Sequence, residues 1–373
     1  MKKICFVTAA RSEYGLVKWL MSDLDKCEEF KLQLIVTGAH LSQEQGYTID
    51  QIIDDGFKIN YIVDSKLETI STAKIAESMG RMTEGIAQAF DLLKPDFLLI
   101  LGDRYELLPI CSTAFIMRIP IIHLSGGDVT LGAIDDGVRN AITMLADYHF
   151  PGTKDSAENI VRMRGNNKNI WVVGEPGLDS FNRERQMGRL ELAENLCLDQ
   201  KQRWGLMTYH PETKKGIEYN IANVKSCMES LVKLDGFQTV ITYANADFGG
   251  KKINEYIEEW ASKYPQKIKV IPSLGHSRYL SYMRQVDFVI GNSSSGIVEA
   301  PFLNIPVINI GDRQKGRYQC GNIIQCKPTD SDIKEKINTV VKMRKKIPDD
   351  LDYWGDGYTS KRIINILQEI CLD

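Results

Sequence analysis

Short apolar runs alternate with longer helical stretches along this chain, and that alternation constrains its fold more than any other feature. Continuous runs of isoleucine, valine and leucine between helices are typical of a parallel sheet covered by helices on both faces. We therefore predict an α/β fold. The predicted strands span residues 4–8, 32–37, 97–101, 120–124 and 148–151, then 204–208, 239–243, 268–271, 288–290 and 307–310. The predicted helices include residues 13–24, 70–93, 105–117, 216–234, 250–262 and 277–285.

The strand–helix pattern stops at a polar stretch near residues 180–202 and then starts again. The chain has 373 residues and no low-complexity linker. Because a domain commonly holds about 100–200 residues, this length suits two domains. We predict two Rossmann-like, doubly wound domains over residues 1–178 and 179–373, the second closed by a helix over residues 358–371.

The composition excludes several classes of protein. Lysine and arginine total 46 against 49 acidic residues, a net charge of −3, which gives no electrostatic footprint for nucleic acid or a membrane surface. No apolar run approaches the roughly 20 residues of a bilayer span. Eight cysteines are scattered without a Cys-x-x-Cys pair, so we expect reduced thiols in a cytoplasmic protein. A small anionic ligand remains compatible with this charge balance.

Polar, glycine-rich segments follow nearly every predicted strand. Ligands of open parallel sheets bind at the carboxyl ends of the strands, in the loops that lead into helices. We therefore predict one central cleft between two facing sheets. The segments span residues 8–15, 37–40, 102–104 and 125–128 in the first half, and 208–213, 245–247, 291–296 and 311–314 in the second.

The segment over residues 291–296 predicts an anion site in the second domain. Backbone N–H groups at the helix start around Gly296, with the hydroxyls of Ser293, Ser294 and Ser295, suit a phosphate. An ordinary serine-rich helix cap is the alternative. Glu299 would repel a phosphate, so we assign it to a sugar hydroxyl. Neither a Walker loop nor a Gly-x-Gly-x-x-Gly fingerprint is present.

Three cationic or ionisable side chains complete the predicted cleft. Arg11 and Arg313 lie on strand-end segments of different domains, where either can hold a diphosphate through two hydrogen bonds. Solvated surface arginines are the alternative. His210 follows a predicted strand and is assigned to the same cleft.

Acidic residues concentrate in the first domain. Asp103, Asp128, Asp135 and Asp136 come from strand-end segments, and Arg139 follows one helical turn later. Neighbouring carboxylates raise one another's proton affinity, so one can act as a base and another as an acid. Asp135 and Asp136 can alternatively cap the helix. Aspartates at this spacing can alternatively hold a divalent metal, but no histidine-rich set supports a tight site, and we predict no metal.

Seven ordered motifs carry a resemblance that covers the chain from residue 3 to the Gly-Asp-Gly before the last helix. They are Thr8-Ala-Ala-Arg-Ser-Glu-Tyr-Gly, Gly102-Asp-Arg-Tyr-Glu, His123-Leu-Ser-Gly-Gly-Asp, Ile134-Asp-Asp-Gly-Val-Arg, His210-Pro-Glu-Thr, Gly291-Asn-Ser-Ser-Ser-Gly-Ile-Val-Glu and Gly311-Asp-Arg-Gln-Lys-Gly-Arg. The chain resembles the hydrolysing UDP-N-acetylglucosamine 2-epimerases of sialic and related nonulosonic acid synthesis. The resemblance implies two Rossmann-like domains in the glycosyltransferase-B arrangement, no cofactor and a homodimer.

The resemblance also implies a reaction. UDP-N-acetylglucosamine and water give N-acetylmannosamine and UDP, through elimination to a glycal and addition of water. The implied roles are acid–base chemistry at Asp103 and the Asp135/Asp136 pair, diphosphate contact at His210, Arg11 and Arg313, UDP contact at Ser293, Ser294 and Glu299, and cleft positions at His40 and Asn245.

The chain departs from the family pattern at one position. Many members carry glutamate where this chain has Ser125, which cannot be a carboxylate base. Either Asp128 substitutes for it, or the chemistry rests on Asp103 with the Asp135/Asp136 pair. The smaller side chain can also enlarge the sugar pocket, so UDP-N,N'-diacetylbacillosamine is an alternative substrate. A retaining UDP-sugar glycosyltransferase and a non-catalytic UDP-sugar sensor are the alternative functions.

Overall fold

Two six-stranded parallel sheets, each flanked by helices, carry the fold. The computed structural model describes residues 1–43, 46–131, 133–245, 247–342 and 348–372. The strands are β1 Lys2–Thr8, β2 Phe30–Thr37, β3 Ile59–Val63, β4 Phe97–Leu101, β5 Ile121–Leu124, β6 Tyr148–Phe150, β7 Arg203–Thr208, β8 Phe237–Thr242, β9 Ile268–Ile271, β10 Phe288–Gly291, β11 Val307–Ile310 and β12 Ile323–Cys326. The helices are α1 Arg11–Lys26, α2 Ile49–Asp54, α3 Thr72–Leu93, α4 Leu107–Ile116, α5 Asp135–Leu145, α6 Lys154–Arg164, α7 Asp179–Arg183, α8 Arg189–Leu196, α9 Ile217–Leu231, α10 Gly250–Lys263, α11 His276–Met283, α12 Glu299–Phe302, α13 Asp330–Val340 and α14 Thr359–Leu372.

Both sheets have the same topology. The first has the order β3-β2-β1-β4-β5-β6 and the second the order β12-β11-β10-β7-β8-β9. Their neighbouring strands pair in parallel. Read in chain order, each sheet runs outward from its first strand, reverses and runs to the other edge, which is the Rossmann order. The predicted α/β class with two Rossmann-like units is confirmed.

The first sheet packs a hydrophobic core against each of its faces. Along β1, Ile4 and Phe6 point into a core that includes residues of α1 and α14, while Cys5 and Val7 point into a core with α3 and α4. Side chains alternate between the two faces of a strand, so burial on both faces requires a continuous apolar run. This packing explains why β1 could be recognised from the sequence.

The chain divides into units in a different way from the predicted boundary after residue 178. One unit contains residues 1–128, 135–182 and 355–373, and the other contains 129–134 and 183–354. The C-terminal helix therefore returns to the first unit, where the Asp179 carboxylate accepts hydrogen bonds from Thr359 N at 2.7 Å and Ser360 N at 2.6 Å. Residues 129–134 join the second unit, where Leu131 N donates to Lys315 O at 2.9 Å.

Two strands, β3 and β12, were not predicted. Both lie at the edge of a sheet, and most of their residues are only partly buried. An edge strand faces solvent along one side and does not need the continuous apolar run of a central strand. The predicted helix over residues 358–371 is present as α14.

Asp179 offers a test of how the chain terminus is held. The change Asp179→Ala removes both acceptors from the start of α14, where a carboxylate also favours the helix dipole. We expect the loss to cost about 1–2 kcal/mol of α14 stability. Hydrogen exchange of the α14 amides measures it. Asp179→Asn keeps one oxygen acceptor and serves as the control, and unchanged α14 exchange in Asp179→Ala would contradict the assignment.

Candidate active site

Asp103 lies just beyond the carboxyl end of β4 and forms an ion pair with Arg139 of α5. Arg139 is fully buried, and its Nη1 also donates to the Asp128 carbonyl oxygen at 2.9 Å. A buried guanidinium requires such partners, because an uncompensated buried charge is strongly destabilising. Arg139 therefore fixes the Asp103 carboxylate, whose side chain remains 22% exposed, at the end of the sheet.

Asp128 has a structural partner for one carboxylate oxygen. Its Oδ1 accepts a hydrogen bond from the Ser156 hydroxyl at 2.5 Å, and Ser156 is also 2.8 Å from the Thr153 hydroxyl. Thr153 caps the start of α6. This arrangement ties Asp128 to α6, so its predicted acid–base role has less support than that of Asp103.

Asp135 and Asp136 occupy the first turn of α5 and are half-buried. Residues four apart lie on the same face of a helix, which places Asp135 above Arg139. The structure thus brings Asp103, Asp128, Asp135 and Arg139 to one region of the first unit. The catalytic roles of Asp135 and Asp136 stay predictions.

Ser125 follows β5 and has a left-handed backbone conformation with φ of 57°. Its hydroxyl donates to Glu175 Oε2 at 2.7 Å. The next residues are glycines, and a methyl group at Gly127 would overlap the Ser156 carbonyl oxygen. The segment is therefore tightly packed, and a carboxylate that the motifs did not indicate lies beside Ser125.

The His40 ring is held by two threonine hydroxyls, and its position in the predicted cleft stays a prediction. The ring is fully buried, with Nε2 2.9 Å from the Thr8 hydroxyl and Nδ1 2.8 Å from the Thr48 hydroxyl. Burial lowers its pKa to about 4, and the nearby Arg11 charge acts in the same direction. Neutral His40 thus connects Thr8, at the end of β1, to Thr48 through hydrogen bonds. Arg11 is half-buried at the start of α1.

Three charged residues near the β1 and β4 loops were missed. Arg104 donates to both oxygens of the buried Glu106, at 3.2 Å and 3.0 Å. Glu13 accepts from Ala9 N at 3.2 Å, and burial raises its pKa to about 7 although the Arg104 charge lowers it. Both glutamates lie within the motifs that begin at Thr8 and Gly102. Their positions in the sequence near Arg11 and Asp103 could have identified them as candidate site residues.

His210 is fixed at the carboxyl end of β7 in the second unit. Its backbone N–H donates to Asn292 Oδ1 at 2.7 Å, and its carbonyl accepts from Asn292 Nδ2 at 2.8 Å. Its Nδ1 accepts from the backbone N–H of Asn245 at 3.1 Å. A neutral imidazole that accepts at Nδ1 carries its proton on Nε2. His210 can therefore donate a hydrogen bond to an anion through Nε2.

The serine segment differs from the predicted helix start. Residues Ser294–Gly296 form a single 3-10 turn, and α12 has only four residues. Such short helices give a much smaller dipole than a long helix, so hydroxyl donors gain importance. The Ser293 hydroxyl accepts from Ser295 N, and the Ser295 hydroxyl is 2.6 Å from the Tyr279 hydroxyl.

Arg313 and Glu299 flank this segment. Arg313 is buried, and its Nη1 donates to the Asn292 carbonyl oxygen at 3.1 Å, so it lies against the β10 loop. Glu299 is 8% exposed. Burial raises its pKa to about 7, although its own backbone N–H and the Arg317 charge lower it. Glu299 can therefore be protonated and donate a hydrogen bond near neutral pH.

Glu299 makes the stability of the second unit depend on pH. Its folded-state pKa lies above the unfolded value, so the folded chain holds the extra proton and stability falls as pH rises from about 4.5 to 7. We compare the free energy of unfolding of Glu299→Gln with that of the parent chain. We expect the difference to be about 1–3 kcal/mol more favourable to the variant at pH 8 than at pH 5. Urea denaturation at both pH values measures the difference, and an equal effect at pH 5 and pH 8 would contradict it.

The described residues contain no group of three or more histidine, cysteine or acidic side chains placed to hold a metal ion. Likewise, none of the helices in the described ranges combines the length and apolarity that a bilayer crossing requires.

The chain is similar to named proteins over most of its length. A family model described as UDP-N-acetylglucosamine 2-epimerase matches residues 22–368. The chain is 36% identical to the GDP/UDP-N,N'-diacetylbacillosamine 2-epimerase (hydrolyzing) of Campylobacter jejuni, over 89% of this chain and 86% of that protein. It is 32% identical to the UDP-N,N'-diacetylbacillosamine 2-epimerase (hydrolyzing) of Legionella pneumophila, over 100% and 97%.

The fold is also that of a solved structure. The crystal structure of the Methanocaldococcus jannaschii UDP-GlcNAc 2-epimerase in complex with UDP-GlcNAc and UDP superimposes with a TM-score of 0.82 at 17% identity, covering 98% of this chain and 99% of that one. The match of the family model to residues 22–368 and the 36% identity over 89% of the chain show that it belongs to the UDP-N-acetylglucosamine 2-epimerase family.

Proposed function

We propose that the chain is a hydrolysing 2-epimerase that converts UDP-N,N'-diacetylbacillosamine and water into the free 2-epimeric sugar and UDP. Family membership supports the hydrolysing UDP-sugar 2-epimerase activity. The observation that carries the chemistry is the Asp103 carboxylate, held by buried Arg139 at the carboxyl end of β4 and partly open to solvent.

The proposed reaction begins with elimination of UDP. The C2–H bond is not acidified by a carbonyl group, so a base removes this proton while the C1–O bond breaks and C1 gains oxocarbenium character. The electron pair of the C1–O bond leaves with UDP, and the C2–H pair forms the C1–C2 double bond of a glycal. Water then bonds to C1 through its oxygen and gives up one proton to a carboxylate. The electron pair of the C1–C2 double bond forms the new C2–H bond, on the face opposite to that from which the first proton was removed.

This chain's residues divide those tasks. We assign Asp103, with the Asp135/Asp136 pair, to proton transfer and to stabilising positive charge at C1. His210 donates through Nε2 to the departing diphosphate, since its Nδ1 already accepts from Asn245 N. Arg11 and Arg313 are assigned to the diphosphate, and the segment over residues 293–296, with Glu299, to the rest of UDP.

The choice of sugar rests on sequence similarity and on residue 125. The two relatives that are 36% and 32% identical are both named for N,N'-diacetylbacillosamine. A serine at residue 125, whose hydroxyl donates to Glu175, has a shorter side chain than a glutamate, and this supports a sugar that carries the bulkier 4-acetamido group. UDP-N-acetylglucosamine, giving N-acetylmannosamine for sialic acid synthesis, is the second candidate, because the matching family model is described by that sugar.

One incubation tests the proposal. The purified chain is given UDP-N,N'-diacetylbacillosamine or UDP-N-acetylglucosamine without an acceptor, and the products are identified by NMR. We expect UDP and free 2-epimerised sugar, with the larger kcat/KM for the diacetylated substrate. An intact donor would favour a glycosyltransferase or a sensor instead, and faster turnover of UDP-N-acetylglucosamine would favour the second candidate. The homodimer implied by the resemblance stays a prediction that light scattering can check.

A further inference from the structure

Glu175 lies beside Ser125 at the carboxyl ends of β5 and β6. Its Oε2 accepts the Ser125 hydroxyl proton in a hydrogen bond of 2.7 Å. Residue 152, two positions after β6, is a glycine, and a methyl group there would overlap Glu175 Oε1. Gly152 has no positive φ that would require glycine. The space that Gly152 leaves is therefore explained by the Glu175 carboxylate.

The Ser125–Glu175 pair lies at the carboxyl ends of the strands, on the same side of the sheet as Asp103. The register pairs Leu101 of β4 with Leu124 of β5, and Leu124 with Phe150 of β6. Adjacent strands are about 4.8 Å apart. Asp103 follows Leu101 by two residues and Ser125 follows Leu124 by one. The two residues therefore follow the carboxyl ends of two neighbouring strands. A group bound at Asp103 is thus within reach of residue 125.

The direction of the hydrogen bond determines what Ser125 can recognise. The Ser125 hydroxyl is the donor and Glu175 Oε2 is the acceptor, so the Ser125 proton is directed to Glu175. The remaining lone pairs of Ser125 Oγ can then accept an N–H or O–H group, and a charged partner strengthens such an acceptor. The left-handed backbone of Ser125, uncommon for serine, is a local strain of the kind found at functional sites.

We propose that Glu175 is a positioning residue of this site, which holds the Ser125 hydroxyl as a hydrogen-bond acceptor for an amide N–H or hydroxyl group of the sugar. The inference rests on the proposed function. The pair places a carboxylate next to residue 125, where the family resemblance leads one to expect a glutamate. In this proposal Glu175 supplies the carboxylate, and the hydroxyl oxygen of Ser125 is the atom that accepts a hydrogen bond from the sugar.

A double-mutant cycle tests the pair. Ser125→Ala, Glu175→Leu and the double variant are compared for kcat/KM with each of the two UDP-sugars, or for Kd where a sugar is not turned over. We expect each single change to lower kcat/KM, or to raise Kd, about 10–100-fold, the range for a hydrogen bond to a charged group. The double variant should lose no more than about threefold further, because both changes remove one interaction.

UDP itself provides the control, because it lacks the sugar. Its Kd should stay within about twofold in every variant, since neither side chain is assigned to UDP. If Glu175→Leu does not fold, Glu175→Ala replaces it in the cycle, because alanine also lacks a hydrogen-bond acceptor. Losses that add, a parallel loss of UDP affinity, or undiminished sugar recognition would each overturn the role.

A rescue experiment separates positioning from mere packing. Ser125→Glu placed in the Glu175→Leu chain returns a carboxylate to residue 125. With UDP-N-acetylglucosamine, which lacks the 4-acetamido group, we expect it to restore at least tenfold of the lost kcat/KM or of the lost affinity. A purely structural Glu175 would not be rescued. Product analysis of the wild-type chain separates the two proposals. If the chain forms no 2-epimerised sugar, the 2-epimerase function is wrong. If the variants nevertheless weaken sugar recognition and leave UDP binding unchanged, the role of Glu175 is still supported.

Discussion

Asp103→Asn should lower kcat by about 100-fold or more while the Kd of UDP stays nearly unchanged. The amide keeps the shape of the side chain and can still accept a hydrogen bond from Arg139, but it can neither take a proton at C2 nor stabilise positive charge at C1. Asp103 is not among the residues assigned to UDP, so the affinity for UDP should not depend on Asp103. Steady-state kinetics and calorimetric titration with UDP measure the two quantities.

Stability must be measured beside activity for this variant. Asp103 compensates the buried charge of Arg139, so a neutral amide also weakens the ion pair. Thermal unfolding of Asp103→Asn shows whether the enzyme is folded at the assay temperature. Asp91→Asn, at an exposed position of α3, is the matched control and should have wild-type activity and stability. Near-normal kcat in a folded Asp103→Asn enzyme would remove Asp103 from the mechanism.

The central strands could be predicted because burial on both faces leaves a continuous apolar run. The prediction for β4 has the observed limits, whereas β3 includes the polar and partly exposed Asn60 and Tyr61. The path of the chain between units could not be predicted. Residues 129–134 and α14 join their units through contacts such as those of Asp179 with Thr359, which are 180 positions apart.

The site was predicted where the argument depended on position along a strand. Asp103, Ser125 and His210 follow β4, β5 and β7, as the strand-end rule requires. Pairing between distant segments has no such signal. Glu175 lies 50 positions from Ser125, and nothing in its local sequence shows that it accepts the serine proton. For the same reason, the hydrogen bonds of His40 to the Thr8 and Thr48 hydroxyls could not be predicted.

Three histidines of the first unit should make it the part of the chain that unfolds first in acid. His40, His123 and His149 are buried, and burial lowers their pKa values to about 4, 4 and 3. His123 donates or accepts at both nitrogens, through Gly102 O and the Thr143 hydroxyl. Neither nitrogen of His149 has a hydrogen-bond partner among the residues that the structure describes.

The sign follows from proton binding. The unfolded chain protonates these histidines near pH 6.5, whereas the folded chain keeps them neutral until its lower pKa values are reached, so stability falls as pH decreases from about 6.5 to 4. Each group contributes up to about 1.4 kcal/mol per pH unit in that window. Glu13, with a folded pKa of about 7, opposes the change but is one group against three.

Calorimetric unfolding at pH 7 and pH 5, combined with limited proteolysis to identify the cleaved unit, tests this expectation. We expect the first unit to lose several kcal/mol at pH 5, and cleavage to appear there before it appears within residues 183–354. His149→Leu removes one titrating group from a buried position, so it should reduce the difference between the two pH values by about 1–2 kcal/mol. Because leucine fills about the same volume as histidine, the free energy of unfolding at pH 7 should fall by less than this amount of about 1–2 kcal/mol. Equal acid sensitivity in both units, or no change in the pH dependence of His149→Leu, would show that these histidines are not held neutral by burial.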